Sequence, residues 1–355
     1  MLDKYNEIFK QLKEEHNSPV SELNTNSRIL IVDIMNLFIR GYAANPTTNE
    51  DGIHIGGISG SLVSLGYTIK RFNPTRVILA MEGKGGSQYR KTLFPGYKAN
   101  RKKDPKKKKQ YNRKFYYDNE EMEDRMMKLQ LSRLFEYFEC LPLTIVQDVN
   151  YIEADDTIAY IVNSMPESKH IIMSADKDFL QLCSDNVSVY SPTKKVLYNK
   201  ENVLDAFGVP VHNLAVFRAI DGDASDGIPG IKGWAKKSIL KNIDILKDSD
   251  NIYTLDSLFE HASKYNIQKI IDHKSIIERN YKLMQLKDMS YLSQSTQDKI
   301  SKIINVDSIP RLVKYKFQKM VLEDKLFTAI KNSTVWLSQT FTTLDIYASR
   351  SNKEK

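Results

Sequence analysis

Strand-length apolar runs alternate with helix-like segments along most of this chain, and several of the runs lead directly into carboxylates. RILIVD (28–33), RVILAM (76–81), LTIVQD (143–148), HIIMS (170–174) and VSVYS (187–191) read as buried strands. Between them, 57–72 and 153–165 read as helices. From Glu120 to Leu141, Met127, Leu131, Leu134, Phe138 and Leu141 recur at steps of four and three, which marks one face of a helix. This alternation predicts an α/β fold with a parallel sheet. After about Tyr198 the pattern changes to helices joined by Gly-rich turns, and 250–355 reads as mostly helical and polar. The expected organisation is a polar extension over 1–27, an α/β core over 28–198 and a helical region over 199–355.

The acids fall where such a sheet binds ligands, beyond the carboxyl ends of its strands. Asp33 closes the first run, Glu82 follows the second, and Asp176 and Asp178 follow the fourth. Glu153, Asp155 and Asp156 open the helix after the third, facing the same rim. Acids in a first helical turn also suit the helix dipole, and Asp176 or Asp178 also suits a cap. Asp33, directly after four apolar strand residues, would be costly to bury unless paired or metal-bound. Together these carboxylates repel without cations. Their hard oxygen donors suit Mg²⁺ or Mn²⁺, and the clusters offer no His or Cys for zinc.

Charge is concentrated elsewhere. From Arg90 to Lys114, twelve Lys or Arg accompany one acid, Asp104, a net of +11 in a chain whose total is +8, so the remainder sums to −3. This run reads either as a solvated loop or as a phosphate-gripping element. Tyr97, Tyr111, Phe115, Tyr116 and Tyr117 interleave with it, as base-stacking side chains or as anchors to the fold. Further on, GDASDGIPGIKGWAKKS (222–238) has neither a Walker A nor a GxGxxG pattern. Gly227, Gly230 and Gly233, ahead of a helix expected to start at Trp234, offer amides for a phosphate, with Lys232, Lys236 and Lys237 adding charge; a plain turn between two helices is the alternative.

The remaining composition excludes several classes. No run of 18 apolar residues marks a membrane helix, and MLDKYNEIFKQLKEEH lacks the apolar core of a secretory signal. Cys140 and Cys183 cannot make a disulfide framework or a Cys-rich zinc site, and they fit a reducing, cytoplasmic setting.

Taken in order, VDIMNLFIR, AMEGKGGSQYRKTLFPGYKANR, YIEADD, SADKDFLQL and GDASDGIPGIKGWAKKS resemble the motifs of the structure-specific 5′ nucleases. This family comprises flap endonucleases, phage 5′–3′ exonucleases of the ribonuclease H type and the 5′ nuclease domain of DNA polymerase I. The resemblance covers about 28–240. Glu82 stands where the family usually has Asp, and Gly227 where Asn is common. The FPGYKANR and LFIRGY wording is similar to phage proteins, which implies action in a host cytoplasm.

The resemblance implies a PIN-like nuclease core, a helical arch at about 83–125 and a helix-three-turn-helix duplex-binding element at 219–240. It implies a 5′–3′ exonuclease or flap endonuclease using two or more Mg²⁺ or Mn²⁺. Asp33, Glu82, Glu153 and Asp155 would hold the first ion and Asp176, Asp178 and Asp226 the second, with Asp156 and Asp223 supporting. Lys98 and Arg101 would stabilise the scissile phosphate. Arg90 and the 102–114 run would form the arch, and Arg40, Tyr97, Lys106, Lys107, Lys108 and Lys109 would contact DNA. The Gly-rich element would hold the duplex backbone and bind K⁺. Implied partners are branched or nicked duplexes with a 5′ single strand, RNA–DNA hybrids, a single-strand-binding protein and a replication polymerase, met by a monomer with no membrane attachment. The rival readings are a PIN-type ribonuclease and a structure-specific DNA-binding protein with weakened catalysis.

Overall fold

A computed structural model describes residues 24–101, 117, 119–305 and 309–351. The extension up to residue 23 and the centre of the basic run, including Lys106, Lys107, Lys108, Lys109, Tyr111, Phe115 and Tyr116, lie outside the described residues.

Six strands form one sheet: β1 (Arg28–Asp33), β2 (Arg76–Ala80), β3 (Thr144–Val146), β4 (Lys169–Met173), β5 (Val187–Ser191) and β6 (Val196–Tyr198). Their order is β3-β2-β1-β4-β5-β6. The first five are parallel, and β6 pairs antiparallel with β5. The chain builds outward from β1 to one edge and then returns to the other side of β1 with β4. The order therefore reverses between β1 and β4, where open α/β sheets bind their ligands. Asp33 ends β1 there, and Val32 pairs with Met173, the last residue of β4.

Alternate strand residues face opposite sides, and each side has its own apolar cluster. Ile29 and Ile31 pack with helix Ala154–Ser164 and with helices after Tyr198, through residues such as Ile220, Ile239 and Ile300. Leu30 and Val32 pack with helices Gly56–Phe72 and Glu120–Phe138 and with Phe317, Leu337 and Phe341 near the C-terminus. Helices from the C-terminal region thus cover both faces of the sheet.

Several boundaries differ from the expectation. β3 stops at Val146, because Asp148 turns the chain into a left-handed conformation at φ 60°. The Glu120 helix ends at Phe138, before Leu141. In the Gly-rich element the helix starts at Lys236, not at Trp234, and runs only to Asn242; Trp234 belongs to a turn in which its N–H donates to Ile231 O at 3.0 Å. β6 is a short edge strand that hydropathy does not mark. The apolar stretch Lys200–Asp221 is two helices, Lys200–Phe207 and Val211–Asp221, broken at Gly208 and Pro210 and packed into the core.

Candidate active site

At the reversal point the backbone sets out the acids. Asp33 is buried and caps helix Ile34–Ala44, accepting from Asn36 N–H at 2.9 Å. Ser174, just past β4, donates to Asp33 Oδ2 at 3.4 Å and accepts from Asp176 N–H at 3.1 Å. Asp176 in turn accepts from Asp178 N–H at 2.8 Å. Opposite them, helix Ala154–Ser164 brings Glu153, Asp155 and Asp156 to the same rim, and the Glu153 N–H donates to Asp156 Oδ2 at 3.0 Å. Glu82 lies two residues beyond β2, at the exposed edge of the group.

The carboxylates divide by the company they keep. Asp33, Asp155 and Asp176 face one another. Burial first and Asp176 among the charges push the Asp33 carboxyl up to about 6. Burial, then Asp176, Asp33 and Glu153, push Asp155 well above the usual carboxylate range. Asp176 is raised by burial and by Asp226 and Asp223. Asp178 is also pushed up, to about 7, by burial and then Asp176, despite an Arg neighbour. Glu82 is raised by desolvation and by Glu153.

The other acids are paired with bases. Arg90, expected on the arch facing a bound strand, is instead 3% exposed. Its guanidinium donates to Asp156 Oδ2 at 2.8 Å and Oδ1 at 2.7 Å and to Leu283 O at 2.8 Å, and lies 3.3 Å from Glu153 Oε2. Burial favours the neutral Asp156, but Arg90 and the hydroxyl of Tyr291 outweigh it and hold that carboxyl below the usual range. Lys98 Nζ contacts Glu153 Oε1 at 2.5 Å, and its backbone, at φ 55°, donates to Asp226 O at 2.7 Å. Burial lowers the Lys98 ammonium's pKa, but Glu153 more than offsets it, so the net shift is upward. Tyr97 donates to Glu153 Oε2 at 2.7 Å and to Asp226 Oδ2 at 3.3 Å. Arg101 ion-pairs with Asp226. Asn100 Nδ2 donates to Ala224 O at 3.0 Å, so 97–101 is docked on the Gly-rich element. As the side chains stand, no three His, Cys, Asp or Glu groups among the described residues enclose an ion site.

Arg218 was missed by sequence reasoning. It is 7% exposed on helix Val211–Asp221. Its Nε donates to Asp178 Oδ1 at 3.0 Å, its Nη2 to Asp223 Oδ2 at 2.6 Å and its Nη1 to Gly222 O at 3.1 Å. The available signal is a lone Arg among Leu214, Phe217, Ala219 and Ile220, five residues before Asp223. Tyr291 was missed too; it stacks on Tyr89 with ring centroids 4.5 Å apart while its hydroxyl donates to Asp156.

In the Gly-rich element only some glycines look outward. A Cβ on Gly230 would lie 2.0 Å from Asp221 O, so this glycine is required by packing inside the turn and not by approach to a phosphate. A Cβ on Gly227 would lie 3.1 Å from Gly96 O, against the docked 97–101 segment. Gly233 is open, with only Lys269 Nζ at 3.6 Å. Lys232 and Lys237 are exposed, and Lys236 Nζ donates to Ala206 O at 2.8 Å. Arg40 stands apart on helix Ile34–Ala44, its Nη1 buried without a hydrogen-bond partner among the described residues.

The family described as 5′-3′ exonuclease, N-terminal resolvase-like domain, matches residues 28–208. A 5′-3′ exonuclease of Aquifex aeolicus is 26% identical over 290 residues, 81% of this chain and 91% of that protein. A 5′-3′ exonuclease of Bacillus subtilis is 28% identical, covering 74% of this chain and 83% of its own. DNA polymerase I of Caldicellulosiruptor bescii is 29% identical over 75% of this chain, which spans only 28% of that longer protein. Among solved structures, the flap endonuclease of bacteriophage T5, in complex with DNA and metal ions, superposes with a TM-score of 0.58 at 22% identity, over 84% of this chain and 99% of that one. That likeness speaks for the fold: an α/β architecture with a mostly parallel six-stranded sheet and many helices. With the family match spanning just over half of its length, β1 through β6 included, the chain belongs to the 5′-3′ exonuclease and flap endonuclease family of nucleases.

Proposed function

We propose that the chain is a divalent-metal-dependent 5′ nuclease hydrolysing phosphodiester bonds at 5′ ends or flaps of branched and nicked duplex DNA, and in RNA primers on DNA, during replication or repair. The observation that carries this is the unpaired trio Asp33, Asp155 and Asp176, pushed toward the protonated form by burial and by neighbouring carboxylates, beside the bases Lys98 and Arg101. An all-oxygen donor set fits Mg²⁺ or Mn²⁺. Asp33, Glu82, Glu153 and Asp155 are assigned to one ion and Asp176, Asp178 and Asp226 to another, with Asp156 and Asp223 orienting them. Such ions supply an activated water and stabilise the leaving oxygen.

The chain's own residues do the rest. Lys98 and Arg101, held over Glu153 and Asp226, turn to the scissile phosphate and meet the charge that develops on it. Arg90 clamps Asp156 and so fixes the first turn of its helix. Arg218 holds Asp178 and Asp223 in register. Tyr97 orients Glu153. In this reading 83–125 is the arch, whose lysines grip the 5′ strand. The 219–240 segment is the helix-three-turn-helix element, binding duplex backbone through Gly233 and the exposed Lys232 and Lys237, with K⁺ at its turn. A single-strand-binding protein and a replication polymerase are the protein partners proposed for this role.

The test is product length on 5′-labelled flap and nicked duplexes with Mg²⁺, Mn²⁺ or EDTA. Short 5′ products with metal and none with EDTA are expected. Tight binding without cleavage in Mg²⁺ would leave a DNA-binding protein, and duplex-independent cleavage of single-stranded RNA a PIN-type ribonuclease.

A further inference from the structure

Tyr151 is at the rim but outside the acid–base network. It is 66% exposed, and its backbone sits at φ 67°, a region where a bulky L residue is an outlier. Among the described residues it is the one exposed large apolar side chain held at positive φ. Exposed Tyr67, Tyr265 and Tyr315 have no such strain.

The conformation is imposed from both sides. The Tyr151 N–H donates to Lys84 O at 3.0 Å, and the Lys84 N–H donates to Asn150 Oδ1 at 3.1 Å. These bonds zip 149–152 to the loop after Glu82. The ring lies against Gly85, where a Cβ would come within 3.1 Å of Tyr151 Cδ1. Tyr151 is two positions before Glu153, at most about 7 Å of chain, and Gly85 is three residues past Glu82. The exposed Lys84 adds a cation to the same loop. Strain of this kind concentrates at functional sites when the surroundings enforce it. A cation beside an exposed aromatic face is how single-stranded nucleic acid is held, because every base offers a π-face.

We propose that Tyr151 is a nucleobase platform. It stacks on a base of the strand whose phosphate lies at Asp33, Asp155 and Asp176, and so sets which phosphodiester reaches them. This rests on the nuclease reading above and adds a subsite to it.

The test uses a 5′-flap duplex carrying 2-aminopurine at one or the other nucleotide flanking the cleaved bond, bound in EDTA to the whole chain and to Tyr151→Phe, Tyr151→Leu and Tyr151→Gly. Wild type and Tyr151→Phe should quench the probe at one position. Tyr151→Leu and Tyr151→Gly should lose the quench and bind roughly 5- to 100-fold more weakly, and their cleavage should spread over neighbouring bonds. Glycine suits φ 67°, so Tyr151→Gly should melt no lower than wild type, which separates lost stacking from lost folding. Equal quench and affinity for wild type and Tyr151→Leu would overturn the platform, as would a wild type that cleaves but quenches at neither position. A wild type that neither binds nor cleaves the flap would instead overturn the nuclease reading, and the platform with it.

Discussion

Replacing Arg90 by Met removes a guanidinium that makes two bonds to Asp156, one to Leu283 O and a close ion pair with Glu153. Asp156 would keep only the Tyr291 hydroxyl and the Glu153 N–H, while remaining 1% exposed. Breaking a buried pair by removing one partner costs about 3–5 kcal/mol. With a urea slope of about 3 kcal/mol/M, the unfolding midpoint should fall by about 1–1.7 M. Converting Asp156 to Leu in the same chain should restore much of that, since an apolar pair leaves no uncompensated charge. The assay is equilibrium urea unfolding of the two variants, together with flap binding between 50 and 200 mM salt. A base gripping a phosphate contributes about 0.9 to the slope of log affinity against log salt; a buried base contributes nothing, so the slope should stay put. An Arg90→Met chain that unfolds within about 0.5 kcal/mol of the parent, with its salt slope reduced by about one, would refute the positioning role and return Arg90 to the strand.

Three further outcomes follow from the division of the acids. Asp155→Asn should raise the metal-free melting midpoint, because it removes a charge that burial and three carboxylates oppose, yet abolish nearly all hydrolysis. Asp156→Asn should lower the midpoint, because it strips Arg90 of its partner; equal shifts of the same sign in both would contradict the division. Asp33 and Asp178, raised to about 6 and about 7, hold protons in the folded state that the unfolded chain has released above about pH 4. Their contribution to stability therefore falls as pH rises from about 4 through 6 and 7. In EDTA the midpoint should be higher at pH 5.5 than at pH 8, and Mg²⁺ should raise it most at pH 8, as differential scanning calorimetry would record. Gly230→Ala, with its Cβ 2.0 Å from a backbone carbonyl, should cost about 3 kcal/mol by overpacking, whereas Gly233→Ala should cost only the left-handed backbone term, about 1 kcal/mol; thermal midpoints decide it.

How much of this was legible follows from the range of each signal. RILIVD and VSVYS became β1 and β5 at their expected residues because an apolar run and its end are local properties. The acids after them reached one rim because a parallel sheet carries its strand ends to one side. The third strand was read one residue too long at its start and two at its end, where the chain turns to φ 60° at Asp148 beside the loop zipped through Lys84 and Asn150. The helix expected at Trp234 starts later because the turn is closed by Trp234 N–H on Ile231 O, which no periodicity records. The largest misreading, Arg90, has the same origin. Its partners lie 66 and 193 residues away, and a basic residue at the edge of a basic run looks like part of it. Arg218 left a local trace, a lone Arg in an apolar helix five residues before its partner Asp223, but its bond to Asp178 40 residues upstream left none.

Those two arginines bear on how so acidic a rim can fold at all. Charges of one sign withdrawn from water cost folding energy unless paired, yet the proposed cation site must leave some unpaired. The chain separates the two demands in space. Arg90 and Arg218 are both nearly fully buried, and each spans an acid of the core and a main-chain oxygen of the C-terminal half, Leu283 O and Gly222 O respectively. They are fixed counter-charges that tie the two halves together. Lys98 and Arg101 are more exposed, at 16% and 56% of their side chains, and sit on a short segment at the base of the basic run. Of the rim acids left without an ion pair, Asp33, Asp155 and Asp176 lie nearest the reversal of the sheet and Glu82 is exposed at its edge. Under the proposed function, stability rests on the buried arginines and reactivity on Lys98 and Arg101, so a substitution in one set need not be felt in the other.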